Sequence, residues 1–234
     1  MTNIFKHEPG QFRGFFSETL DSFLKSIQAP YTNTKVIRPS QIHLCQRWIV
    51  GDLLGRIPFE PNSAVQQRVL DNGSYVHKRI LQKYLPRMGI VPYILDIKKG
   101  ELKQFIEVSL RDDSLWLKGS PDALILNPND GLVYVFELKS MRDGEFKILE
   151  DAKIEHIMQV HLYMWLTNIP RAILFYENKD SQQTKEFVIQ KSDILMNKIL
   201  NKISLIQKAA TESNLNIPCE NTSVNACKCS KILI

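Results

Sequence analysis

Apolar residues return at helical intervals through the first third of the chain. Between Ser17 and Ile27 they fall at Leu20, Phe23, Leu24 and Ile27, one stripe of an amphipathic helix. The stretch "RPSQIHLCQRWIVGDLLG" predicts a second helix, opened by Pro39-Ser40 as an N-cap signal and closed at Gly55. A third, from about Ser63 to Leu85, carries Val65, Val69, Val76, Ile80, Leu81 and Tyr84 and is expected to stop at Pro86. Gly73 within it weakens a helix by about 1 kcal/mol against Ala, which suggests a close approach there. The pattern then changes to strands: Phe105 to Arg111, Ser114 to Leu126 and Leu132 to Lys139, separated by "RDDS" and "NPNDG" turns. A helix from about Leu149 to Thr167, stopped by Pro170, precedes the strands "RAILFYEN" and "TKEFVIQ". Ser192 caps a last helix from Asp193 to about Ser213, and the tail from Asn214 has no periodicity.

Composition adds bounds. At 234 residues and 44% hydrophobic, the chain suffices for one large α/β domain, or one domain with a small appendage, with a sizeable core and without repeats or low-complexity segments. No apolar run approaches the roughly 20 residues of a membrane span, and Met1 to Gly10 is no signal peptide, so a cytoplasmic protein without a membrane partner is expected. A net charge of +5 suits a polyanionic partner without requiring one.

Three charges interrupt the most apolar part of the chain. In "GSPDALILNPNDGLVYVFELKS", Asp122 opens one buried run, while Glu137 and Lys139 close the next and, two residues apart, point to the same face. An antiparallel hairpin would bring Asp122 and Glu137 together, and two such carboxylates can hold Mg²⁺ or Mn²⁺, hard cations that prefer oxygen. Lys139 could orient a water or stabilise charge developing on phosphorus. An ordinary surface hairpin with a salt bridge is the plainer reading. The near-continuous apolar context of "VYVFELKS" opposes it, because unpaired half-buried charges are costly.

Pro121-Asp122 and Glu137-Leu138-Lys139 resemble the signature of the PD-(D/E)xK nuclease superfamily. Gln159 and Tyr163 resemble the Q-x-x-x-Y motif of its RecB-like branch, and Gly73 with His77 resembles that branch's G-x-x-x-H helix. The resemblance spans about Gly73 to Tyr163. It implies a restriction-endonuclease-like core with a mixed sheet flanked by helices. It also implies metal ligands at His77, Asp122, Glu137 and the Leu138 carbonyl, with Lys139 acting on the water and Gln159 and Tyr163 bracing the site or touching DNA.

Cys45 stands alone upstream, while Cys219, Cys227 and Cys229 crowd the tail, a clustering that favours a metal over disulfides inside a cell. The segment "LCQRWIVGDLLG" resembles the first cysteine segment of iron–sulfur RecB-like nucleases, among them AddB-type helicase–nucleases and the CRISPR-associated exonucleases. That likeness implies a [4Fe–4S] cluster tying the N-terminal helices to the tail. The C-terminal spacing departs from the family: seven residues separate Cys219 from Cys227, and one separates Cys227 from Cys229. A structural Zn²⁺ needs the same four thiolates, and both readings stay open.

The expected organisation is a helical region over 1–90, a nuclease core over 91–213 and a cysteine tail over 214–234. The expected activity is metal-dependent hydrolysis of DNA, as an exonuclease on single strands or free ends, in a bacterial, archaeal or phage-infected cell. A structure-specific or restriction-like endonuclease and a non-catalytic DNA-binding assembly subunit are the rivals. A second copy of the chain, or proteins of recombination or CRISPR adaptation, are the protein partners considered.

Overall fold

The computed structural model of the protein describes residues 15–29, 35–90, 93–96, 101–104, 106–219 and 227–232. The chain divides into two units, Met1–Tyr31 with Phe59–Asn72, and Thr32–Pro58 with Gly73–Ile234. In the smaller, helix α1 (Phe15–Ser26) is followed by Gln28, whose amide bonds both ways with the backbone of Asn62. Ser63 and Gln66 exchange hydrogen bonds at the start of α3 (Ala64–Lys78), a reciprocal cap that satisfies two end donors.

The larger unit is built on a four-stranded sheet in the order β5 (Ala123–Leu126), β6 (Val133–Met141), β7 (Arg171–Asn178), β8 (Thr184–Gln190). The outer pairs are antiparallel, while β6 and β7 are parallel. The parallel step needs a long crossover, supplied by α5 (Asp143–Lys147) and α6 (Ile154–Thr167). Period-two alternation loads both faces. Leu124, Val135, Ala172, Leu174 and Tyr176 pack with Val160, Tyr163 and Met164 of α6, while Ala123, Ile125, Phe136, Leu138 and Ile173 pack with Val76, Ile80, Leu81 and Leu85. A third core joins α2 (Gln46–Leu53) to α7 (Asp193–Thr211) through Ile49, Val50, Ile199, Ile203 and Ile206.

Several expectations change in detail. The strand expected from Ser114 to Leu126 is two, β4 (Leu117–Gly119) and β5, placed in different sheets. Pro121 lies at the break, where it offers no N–H to a ladder. Strand β4 pairs instead with β3 (Leu110–Asp112), and Phe105, the expected start of the preceding strand, lies outside the described residues. An unforeseen pair, β1 (Tyr93–Asp96) and β2 (Glu101–Gln104), forms a further antiparallel ladder. Pro86 does not end the third helix. The chain widens into a π-turn over Arg79–Tyr84 and continues as α4 (Leu85–Arg87), with Pro86 in its first turn, the part of a helix where proline is best tolerated. The second expected helix splits into a 3₁₀ turn, Pro39–Gln41, and α2, with Cys45 rather than Ser40 at the N-cap position. The helix expected from Leu149 starts at Ile154 after the separate α5.

Candidate active site

The β5–β6 register sets Ala123 opposite Phe136, so Asp122 precedes β5 alongside the middle of β6, where Glu137 follows Phe136. Asp122 is buried, and its Oδ2 accepts the Leu138 N–H at 2.7 Å. Its Oδ1 lies 3.2 Å from His77 Nδ1, delivered by α3. Glu137, 3% exposed, and Lys139 project together, as their spacing requires. Lys139 Nζ donates to Glu137 Oε1 at 2.8 Å and to Gln159 Oε1 at 3.0 Å. Gln159 Nε2 donates to the same Glu137 oxygen at 2.8 Å and lies 3.3 Å from Tyr163 Oη. Two chains of contact therefore form, His77–Asp122–Leu138 N–H and Glu137–Lys139–Gln159–Tyr163. All six side chains singled out by sequence converge at this end of the sheet.

Glu137 Oε2 is buried and has no hydrogen-bond partner. A buried carboxylate oxygen left bare is costly, and a cation beside it would remove the deficit. The electrostatics carry the same signature. Burial, and then the charge of Asp122, push the Glu137 carboxyl up to about 7, while Lys139 pulls the other way. Burial alone would lower the His77 imidazole, but the hydrogen bond and charge of Asp122 outweigh it and raise it. Burial and the Glu137 charge push the Tyr163 phenol upward, so it remains a neutral hydroxyl whose oxygen accepts from Gln159 Nε2. Clustered carboxylates with an imidazole beside them fit a hard divalent ion.

Sequence reading missed three features here. Glu107 brings a carboxylate to His77 and Asp122, one donor atom from each lying within 4.8 Å of the others. Its signal was a lone acid between Ile106 and Val108, the same signal as Asp122 but without a partner motif. Gly119 faces Pro39 so closely that a Cβ would meet Pro39 Cδ at 2.6 Å and Tyr163 Cε1 at 3.2 Å. The 3₁₀ turn at Pro39 and the Tyr163 ring thus both crowd the space beside Gly119. Gly73, by contrast, is under no such constraint: a methyl there would meet only Ser140 Oγ, at 3.6 Å. Third, His156, one turn before Gln159, has its Nδ1 2.8 Å from Tyr176 Oη. Burial first, then Lys139 and Lys153, push its imidazole down to about 3, which keeps it neutral.

The four cysteines meet although Cys45 and Cys229 lie 184 positions apart. Cys45 Sγ is 3.7 Å from Cys219 Sγ and 3.4 Å from Cys229 Sγ, Cys219 is 4.0 Å from Cys229, and Cys227 is 2.9 Å from Cys229. Burial, then Cys227 and Cys45, push the Cys229 thiol upward. Trp48, Ile57, Leu215 and Ile232 pack around the group, and a Cβ on Gly51 of α2 would approach Ile232 at 3.2 Å.

No protein-family model matches the chain, and no curated protein matches it. Among solved structures it is similar to an alkaline exonuclease, LHK-Exo, from Laribacter hongkongensis, at 15% identity over 84% of this chain and 93% of that one, with a TM-score of 0.55. The same enzyme in complex with dAMP matches at 16% identity over 84% and 93%, with a TM-score of 0.52. At these identities the likeness is one of fold. It agrees with the mixed, helix-flanked sheet expected of a PD-(D/E)xK core, and the chain shares its architecture with an exonuclease.

Proposed function

We propose that the protein is a divalent-metal-dependent DNA nuclease of the RecB-like kind, acting as an exonuclease on single strands or free ends. The observation that carries this reading is the bare, buried Glu137 Oε2 beside Asp122, in a network that also holds Lys139. His77, Asp122, Glu137 and the Leu138 carbonyl would hold Mg²⁺ or Mn²⁺. Such an ion, when bound, polarises a scissile phosphate and lowers the pKa of water. Lys139, anchored by Glu137 and Gln159, presents its ammonium where an attacking water or a developing negative charge would sit. Gln159 holds both Lys139 and Glu137, so it orients the pair, and Tyr163 supports Gln159 from the next turn of α6. The exonuclease fold of the structural neighbour supports the same substrate class.

The test is an end-labelled oligonucleotide incubated with Mg²⁺, with Mn²⁺ and with chelator. Wild-type protein should shorten linear single strands only with metal and leave closed single-stranded circles intact. Glu137→Ala should lower cleavage by about a hundredfold or more. Cut circles would establish an endonuclease, and binding without cleavage would establish the assembly subunit.

For the cysteines we propose a metal–thiolate centre that holds the tail to α2. The four thiols supply the ligands of a [4Fe–4S] cluster. Their spacing favours a second reading, one tetrahedral Zn²⁺: bonds of about 2.3 Å put sulfurs about 3.8 Å apart, close to the 3.7 and 4.0 Å of two pairs here. Cys227 and Cys229, at 2.9 Å, would have to part in either case.

A further inference from the structure

Glu107 carries no motif, yet its surroundings are unusual. Its backbone is left-handed, with φ +51°, a conformation that non-glycine residues seldom adopt. Its N–H donates to the Asp122 carbonyl at 3.0 Å, and the neighbouring Ile106 bridges Ala123 antiparallel. The segment is thus stitched to the start of β5, and the exposed carboxylate is turned to His77 and Asp122 within the 4.8 Å already given. Ligands at about 2.1 Å around an octahedral ion lie about 3.0 Å apart when adjacent and about 4.2 Å apart when opposite, so the trio needs only a small contraction to close on one. Glu137 stands outside that trio, with its bare Oε2 buried beside Asp122. The donors fall into two sets that share Asp122.

We propose that Glu107 is a metal ligand, completing with His77 and Asp122 one cation position next to the one served by Glu137 and Asp122. The inference rests on the nuclease reading, because it presumes a divalent cation at this end of the sheet. It also separates the four-donor set expected from sequence into two adjacent positions.

The experiment is calorimetric titration of Mn²⁺ into the full chain, with circular dichroism on every variant. Wild type should take up two equivalents. Glu107→Gln should lose one of them or bind it at least about tenfold more weakly, and Glu107→Asp should recover part of the loss. The exposed position of Glu107 makes both substitutions compatible with folding. Unchanged stoichiometry and affinity in folded Glu107→Gln, with loss in Asp122→Asn, would overturn this proposal and leave the nuclease reading standing. No Mn²⁺ uptake by wild type would overturn both.

Discussion

Glu137 concentrates the chemistry of the site in one side chain. With its carboxyl held near 7 rather than at the ordinary 4.5, the metal-free folded protein binds more protons than the unfolded chain between those values. The associated stabilisation is complete below about 4.5 and is lost as pH rises through about 7. The melting temperature of chelated protein should therefore fall between about pH 5 and about pH 8. Glu137→Gln should flatten that fall, and Mn²⁺ at the higher pH should reverse it in wild type by neutralising the charge. A slope unchanged by Glu137→Gln would assign the pH dependence to other groups. Lys139→Ala should keep most Mn²⁺ affinity while losing rate, since in the proposed reaction its ammonium would serve the reacting atoms. These groups were legible in sequence because charges at the ends of apolar strands need a reason. Glu107 had the same signature, but its relevance depends on a left-handed turn that no pattern announces.

At the scale of elements, the 3₁₀ turn at Pro39 packs directly on Gly119, whose lack of a side chain allows it to seat. Gly119→Ala would drive a methyl into Pro39, with the Tyr163 ring also in the way, and should destabilise the protein by roughly 1–3 kcal/mol. Gly73→Ala, in open helix, should be neutral or slightly stabilising. Comparing the two denaturation midpoints checks both, and equal effects would contradict the packing described. The sequence pointed to the wrong glycine. Helix propensity marks Gly73 as an anomaly, whereas the constraint on Gly119 comes from a residue 80 positions earlier in the chain. The π-turn escaped for a similar reason. Its apolar spacing still reads as helical, and Pro86 looked like a stop because its tolerance depends on how the preceding turn ends.

At the scale of the molecule, the proposed cysteine centre would close most of the chain into a loop. Releasing it frees the tail from α2, whose Gly51 packs against Ile232. Anaerobically purified protein should carry either roughly four irons with broad visible absorbance or a single zinc without colour. Cys45→Ser should abolish whichever is present and lower the melting temperature by several degrees or more, because binding energy here is also folding energy. Metal-free protein with unchanged melting in Cys45→Ser would remove the centre from the account. No helix among the described residues is long and apolar enough to cross a membrane.

Local information decided the element types, the hairpin that pairs β5 with β6, and the identity of Asp122, Glu137, Lys139, His77, Gln159 and Tyr163 as a group. The element types, the hairpin and the three charges Asp122, Glu137 and Lys139 follow from periodicity or from spacing within one or two elements, while His77, Gln159 and Tyr163 were singled out by the resemblance of their motifs to a known family. Long-range packing decided the rest. Strand β4 leaves the main sheet for a ladder of its own, Pro39 fills the space before Gly119, Glu107 reaches His77 and Asp122, and four distant thiols meet. Contacts between residues tens to hundreds of positions apart depend on how whole layers settle on one another, and no local pattern of apolar and polar residues encodes that.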